Sequence, residues 1–123
     1  MTDEKMRLII DKISLIELKK IAEERFGDMV KAVVDLELKI MVIGAEMHSD
    51  AEGYLLERGS KQDNLWGINL YPDNYAEDFV EFDSMINIKP RQNNRSRGVD
   101  DKNIQIQIRE VINKLINYDR SNT

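Results

Sequence analysis

The sequence contains no cysteine, and this absence excludes a disulfide framework, a cysteine nucleophile and a thiolate zinc site. The single histidine, His48, excludes a metal centre built from several histidines of one chain. Basic residues are also too few for a general nucleic-acid binder, because 18 Lys and Arg stand against 23 Asp and Glu. The resulting net charge of −5 leaves small molecules and other proteins as the expected partners.

Long apolar runs are missing as well, and the longest, at 40–45, is far shorter than the roughly 20 residues of a membrane helix. The first ten residues place acids before a short apolar run, which is not the pattern of a signal peptide. We therefore expect a cytoplasmic protein without a membrane partner. With only two prolines and no Gly/Ser-rich linker, we predict a single domain over residues 1–123, with 1–5 and 119–123 frayed.

Capping signals and helical spacing predict three helices. Ser14 and Ser49 are each followed by Glu three residues later, which predicts helices over 15–26 and 50–58. The third helix is expected to begin with Asp100 as its N-cap. Its core face is marked by apolar residues at helical spacing: Ile104, Ile108, Val111, Ile112 and Leu115.

Alternation of apolar and polar residues predicts the strands. The segments that alternate are 6–10, 30–37, 40–46, 65–71 and 79–89. The order β-α-β-β-α-β-β-α indicates an α+β fold, a mostly antiparallel sheet of about four to five strands with three helices on one face. The opposite face is then expected to meet water, or to be covered by a loop, a ligand or another subunit. The residues predicted on it are Asn69, Tyr71, Asp83, Met85 and Asn87.

His48 lies between a predicted strand and a predicted helix, and it is the residue whose ordinary pKa is closest to neutrality. Glu46, Asp50 and Glu52 flank it, so it suits a general base oriented by a carboxylate, or one ligand of a weak metal site. The alternative is a surface or capping histidine. Since the chain has one histidine and no standard metal-binding motif, we predict neither a metal site nor a cofactor.

Two pairs of acids alternate along predicted strands, Glu81 with Asp83 and Asp35 with Glu37. Each pair projects to one face of its strand and could share a proton or hold a cation. The plainer interpretation is an exposed polar face. Asp83 is the acid that we consider, besides His48, as a candidate catalytic residue.

Segment 89–98 is locally basic and rich in amide and guanidinium donors. Arg95 and Arg97 suit bidentate contacts with a phosphate or carboxylate, which predicts a site for an anionic small molecule here. The alternative is that these arginines pair internally with acids such as Asp83 or Asp100. The residues expected to complete the site are Asn87, Asn69, Trp66 and Gln62. A single tryptophan, however, is more often a core residue.

Four segments of the chain resemble a family of small prokaryotic proteins of unknown function. They are FGDMVKAVVDLE, MHSDAE, GSKQDNLWGINLYP and EFDSMINIKPRQNNRSRGVDD. The resemblance covers most of the chain and implies a small cytoplasmic protein. It carries over no catalytic residue, cofactor or substrate. Residues 118–123 extend beyond the usual end of the family pattern.

Two classes of function remain. The favoured one is a binding or interaction domain, because the sequence has no catalytic motif. The alternative is a small hydrolase or lyase, in which His48 or Asp83 acts as a base and Arg95 or Arg97 stabilises negative charge. Self-association is also expected, through apolar residues outside the core stripe of the last helix: Ile106, Ile116 and Tyr118.

Overall fold

A computed structural model describes residues 5–120 of the chain, and it shows a five-stranded sheet, a two-stranded sheet and three helices. In chain order these elements are β1 (Arg7–Ile9), β2 (Ile13–Ser14), α1 (Leu15–Arg25), β3 (Val30–Asp35), β4 (Ile40–Ile43), α2 (His48–Glu57), β5 (Leu65–Leu70), β6 (Val80–Glu81), α3 (Lys102–Leu115) and β7 (Ile116–Asn117). Short 3-10 turns precede β5 and β6 and interrupt the chain between β6 and α3. The predicted α+β class is confirmed. Of the residues predicted to fray, 1–4 and 121–123 lie outside the described part.

The larger sheet has the strand order β1-β4-β3-β5-β6, and all its neighbours are antiparallel. β3 lies at its centre and pairs along its whole length with β5, where Val33 faces Gly67. The smaller sheet joins β2 to β7 in parallel, with Ile13 opposite Ile116. That pairing was not predicted, and it buries Ile116, which we had expected as an exposed subunit contact.

Helices cover both faces of the sheet, so the prediction of one covered face is wrong. α1 and α3 pack on the face formed by the larger core cluster, which includes Ile68 of β5 and Ile108 of α3. α2 packs on the opposite face, where Ala51 and Leu55 contact a second cluster that contains Val33 and Val42. The reason is that β3 and β4 are apolar on both sides, and such strands are buried on both sides.

Helix α1 begins and ends as predicted. The Ser14 hydroxyl accepts a hydrogen bond from the Glu17 backbone N–H at 3.2 Å, which caps the helix. The Glu17 carboxylate does not complete the capping box, and instead accepts from Arg7 at 3.0 Å. Gly27 follows the helix with a φ of +93°, a left-handed conformation that favours glycine.

The predicted caps of the other two helices are wrong. α2 begins at His48, with Met47 as an N-cap that provides no side-chain hydrogen bond, so Ser49 lies inside the first turn. α3 is capped by Asp101 rather than Asp100, and the Asp101 carboxylate accepts from the Asn103 backbone N–H at 2.8 Å. The carboxylate of Asp100 accepts instead from the Ser96 hydroxyl. The core stripe of α3 is confirmed, with Ile104 partly buried at its start.

The long strand predicted at 79–89 is wrong, since β6 ends at Glu81 and a 3-10 turn follows at Met85–Asn87. Beyond β6, the Asn87 side chain takes the place of a strand partner. Its Oδ1 accepts from the Gly67 N–H at 2.8 Å, and its Nδ2 donates to the Gly67 carbonyl at 2.9 Å. The Ser84 side chain covers Gly67 so closely that a Cβ there would lie 2.5 Å from the Ser84 hydroxyl. Alternating hydropathy continues, but the backbone pairing does not.

The acidic pair Asp35 and Glu37 is not an exposed pair of carboxylates. Asp35 is buried, and its Oδ1 accepts from the backbone N–H groups of Glu37 and Leu38 at 2.9 and 3.0 Å. Its Oδ2 accepts from the Ser60 hydroxyl at 2.6 Å. Asp35 therefore stabilises the turn of the β3–β4 hairpin, in which Lys39 has a φ of +57°.

Candidate functional site

A cleft of about 190 Å³ opens where the start of α2 meets the segment that follows β6. We call it the His48 cleft. The residues that line it are Lys31, Glu46, Met47, His48, Ser49, Ser84, Met85, Ile86 and Arg97. Its volume is below that of a typical drug-sized pocket, so it suits a ligand of few atoms.

His48 is the most buried titratable group of the cleft, with only 8% of its surface exposed. Its Nε2 lies 2.8 Å from the Ile68 carbonyl of β5. A carbonyl oxygen only accepts hydrogen bonds, so Nε2 carries a proton and the neutral ring has its lone pair on Nδ1. The strand thereby determines the tautomer, and Nδ1 is the ring atom that can accept a proton.

The environment favours the neutral form of His48. Burial is the largest effect and lowers the pKa below its ordinary value of 6.5, and the nearby positive charge of Lys31 acts in the same direction. The hydrogen bond to Ile68 and the negative charge of Asp83 oppose this shift, as does the side chain of Asn69. At neutral pH the imidazole is therefore uncharged.

Asn69 belongs to β5, is buried, and lies next to the side chain of His48. Its Nδ2 donates to Glu81 Oε1 at 2.8 Å, and the same oxygen accepts from the Tyr71 hydroxyl at 3.0 Å. Burial and this contact with Glu81 raise the pKa of Tyr71. The anchored amide leaves Asn69 Oδ1 as a buried acceptor that receives no hydrogen bond from residues 5–120. Such atoms are uncommon in folded proteins.

Arg97 lies at the rim of the cleft, and its Nε donates to Asp83 Oδ1 at 2.7 Å. The alternative of internal pairing is thus realised for this arginine. Both side chains are about half exposed, so the contribution of this ion pair to stability is small. The backbone carbonyl of Arg97 is more firmly held, because it accepts from Ser84 N–H at 2.9 Å and from Asn87 Nδ2 at 3.0 Å.

The structure brings only some of the predicted site residues together. His48 and Arg97 line one cleft, and Asp83 and Asn69 contact them. The others lie elsewhere: Trp66 is buried in the core on the α1 and α3 face, Asn87 is part of the scaffold, Gln62 borders a different cavity, and Arg95 is exposed. Within the described residues, the Arg95 side chain makes no hydrogen bond or ion pair.

Sequence reasoning missed Lys31 and Ser84 as cleft residues. Lys31 is the one basic residue in a mostly apolar strand, and this was an available signal. In the predicted strand at 79–89, Ser84 alternates with Asp83 and Met85 and so falls on the other face of the strand. Only the end of β6 turns it toward the cleft. Sequence reasoning also missed Asn94, which is buried and whose Nδ2 donates to the carbonyl of Asn87 at 2.7 Å.

Comparison with known protein families gives a match. Residues 7–115 match the family described as Protein of unknown function (DUF5674). The chain belongs to this family. No curated protein and no solved structure matches the chain. The resemblance to a small family of unknown function is confirmed, and the whole His48 cleft lies within the matched region.

Two further features of this DUF5674 chain concern residues 5–120 alone. No group of three or more histidine, aspartate or glutamate side chains there is arranged to hold a metal ion. No helix in that range is long and apolar enough to cross a membrane.

Proposed function

We propose that the protein is a binding domain and that its His48 cleft takes a small anion, a carboxylate or a phosphate. The observation that carries this proposal is that two cationic side chains, Lys31 and Arg97, line the same small cleft. Lys31 contributes an ammonium group and Arg97 a guanidinium, and both bind oxyanions.

The start of α2 supports an anionic ligand. Its N-cap residue Met47 and its first residues, His48 and Ser49, all line the cleft. The N-cap Met47 provides no side-chain hydrogen bond to this ten-residue helix, so its first backbone N–H groups are suited to an anion.

The acids near the cleft do not cancel this preference. Asp83 accepts from Arg97, and Glu46 lies 4.0 Å from Arg25. A bound anion would share Arg97 with Asp83, and the guanidinium has enough N–H groups for both. The predicted anion site therefore moves from the loop at 89–98 to the cleft that Arg97 borders.

The test is an NMR titration with inorganic phosphate and, separately, acetate. The chain has one histidine, so its imidazole resonances report on the cleft alone. We expect these resonances to shift on titration, and Arg97→Gln to weaken binding by about tenfold through the loss of a charged hydrogen bond. Arg95→Gln is the matched control and should leave affinity unchanged. Equal effects of the two substitutions, or unshifted imidazole resonances, would contradict the proposal.

A second candidate, a small hydrolase or lyase, is favoured by one observation. The ring of His48 is neutral, is oriented by Ile68 and has Nδ1 available, which is the arrangement of a general base. Asp83 instead accepts from Arg97 and so orients the arginine. Hydrolysis of p-nitrophenyl acetate and p-nitrophenyl phosphate that disappears in His48→Gln, but not in Arg95→Gln, would support this function. The glutamine can still donate to the Ile68 carbonyl.

Three further proposals rest on composition and exposure. A single domain in the cytoplasm agrees with the absence of cysteine, and a net charge of −5 argues against nucleic-acid partners.

Self-association would use Ile106 and Tyr118, which are 54% and 37% exposed. Light scattering should then show a dimer that Ile106→Glu converts to a monomer. A monomeric native chain would contradict this.

A further inference from the structure

Lys89 is the only buried lysine of the chain, and all its lysines fall within the described residues. Its Nζ donates to the Gln62 carbonyl at 2.8 Å and lies 5.2 Å from the centre of the Trp66 ring. Its backbone pairs with Asn94, so the side chain extends from a fixed position. An ammonium group has three N–H donors, and the hydrogen bond to Gln62 uses one of them.

Lys89 lines a cavity of about 140 Å³ that is separate from the His48 cleft. Two loops form it, one before β5 and one that begins at Lys89, and Gln92 Nε2 donates across it to the Asp63 carbonyl at 3.1 Å. Arg91 also lines the cavity. Its guanidinium makes no hydrogen bond or ion pair with any residue that the structure describes.

We propose that Lys89 is a reactive amine that forms an imine with a small carbonyl compound bearing a carboxylate, such as a 2-oxo acid. The cavity admits only a small molecule, Lys89 supplies the nucleophile, and Arg91 supplies the partner for the carboxylate. This site goes beyond the proposed anion binding, because it lies in a different cavity and uses covalent chemistry.

The reaction needs a neutral amine, and the surroundings favour one. Burial lowers the pKa of Lys89, whereas the charges of Glu52 and Asp63 oppose this effect.

The atoms of the step balance without an oxidant or reductant. The ammonium of Lys89 first loses one proton to water. The nitrogen lone pair then forms a bond to the carbonyl carbon, and the carbonyl oxygen takes up a proton. The oxygen leaves as water with the second amine proton, and a carbon–nitrogen double bond remains.

The experiment is competition among all ten lysines of the native chain for a limiting amount of glyoxylate, with cyanoborohydride to reduce the imine. Peptide mass spectrometry then measures the label on each lysine. Exposure alone predicts that Lys89 is labelled last. The proposal predicts that it is labelled first, since each unit by which the pKa is lowered raises the neutral fraction about tenfold. Labelling in order of exposure would overturn it.

Three controls separate the parts of the proposal. Lys89→Arg keeps a donor for Gln62 and should lose the preferred label while the exposed lysines keep theirs. Arg91→Gln should lower the labelling of Lys89 by glyoxylate but not by glycolaldehyde, which is similar in size and has no carboxylate. Arg95→Gln should change neither. Trp66, the only tryptophan, gives a second readout, because an imine beside its ring should alter its fluorescence.

Discussion

The two faces of the five-stranded sheet are covered in different ways. On one face, α1 and α3 contribute apolar stripes that pack on alternating strand residues such as Ile68. On the other face, α2 shares the cover with the irregular segment 83–98, which polar side chains hold in place. The packing on the first face can be predicted from the spacing of apolar residues along the helices and strands. The second depends on which side chains replace the backbone as hydrogen-bond partners.

Two asparagines organise the irregular face. Asn87 pairs with both backbone groups of Gly67, as a neighbouring strand would. Asn94 Nδ2 donates to the carbonyls of Asn87 and Gly98, and its Oδ1 accepts from Asp100 N–H. The His48 cleft and the Lys89 cavity both border this segment. Both candidate sites thus lie next to the segment that side-chain hydrogen bonds, and not regular helix or strand packing, hold in place.

The largest effect is expected on the regular face. Ile108→Ala should lower the free energy of unfolding by about 2–5 kcal/mol, because it leaves a cavity under α3. Gln107→Ala on the same helix is the control, and its exposed side chain should change stability by no more than about 0.5 kcal/mol. Urea unfolding measures both. Similar losses in the two variants would mean that α3 does not pack as described.

On the irregular face, Asn87→Ala should cost about 3 kcal/mol, since it leaves the buried backbone groups of Gly67 without partners. The exposed Asn103→Ala is the matched control. Hydrogen exchange should show faster exchange of the Gly67 amide in the first variant only. An unchanged Gly67 amide would contradict the view that Asn87 substitutes for a strand.

The third test concerns pH and His48. The pKa of His48 is lowered on folding, so the unfolded chain binds the proton more readily. The contribution of His48 to stability should be constant above about pH 6.5 and should fall as the pH decreases from there through the folded pKa. Comparing urea unfolding at about pH 7.5 and about pH 5.5 avoids most carboxylate titration. His48→Gln should remove this dependence, and an equal dependence in both chains would refute the assignment.

The smallest effects separate two serines that look alike in sequence. Ser14→Ala should cost about 1 kcal/mol, because Ser14 caps α1. Ser49→Ala should stay within about 0.5 kcal/mol, because the structure gives Ser49 no capping role. Thermal or urea unfolding measures the pair. A comparable loss at Ser49 would mean that α2 begins where the sequence pattern predicted.

Part of the fold was predictable because it depends on local signals. The start of α1 at Ser14, the core stripe of α3 and the β3–β4 hairpin all follow from capping and period. The prediction of a strand over 79–89 was wrong because the alternation of apolar and polar residues does not show where backbone pairing with the neighbouring strand ends. The pairing of Ile13 with Ile116 was missed because no local pattern relates residues so distant in sequence.

The candidate site was predictable by residue type more than by place. His48, Asp83 and Arg97 stood out by their chemistry, and the structure brings them to one cleft. Arg95 stood out equally, but it lines neither the His48 cleft nor the Lys89 cavity. It lies two positions before Arg97 in an irregular loop, where no regular period relates the directions of the two side chains. Trp66 was the opposite case, since its strand position carried it into the core.

Composition and short-range pattern alone established an acidic α+β chain without cysteine or multi-histidine chemistry, and placed most of its helices and strands. These properties depend on residues near one another in sequence. Tertiary structure alone decided that the second face of the sheet is covered, that His48 is neutral with its proton on Nε2, and that Lys89 is buried beside Arg91. Burial and long-range hydrogen bonds determine those properties, and they exist only once distant segments have packed together.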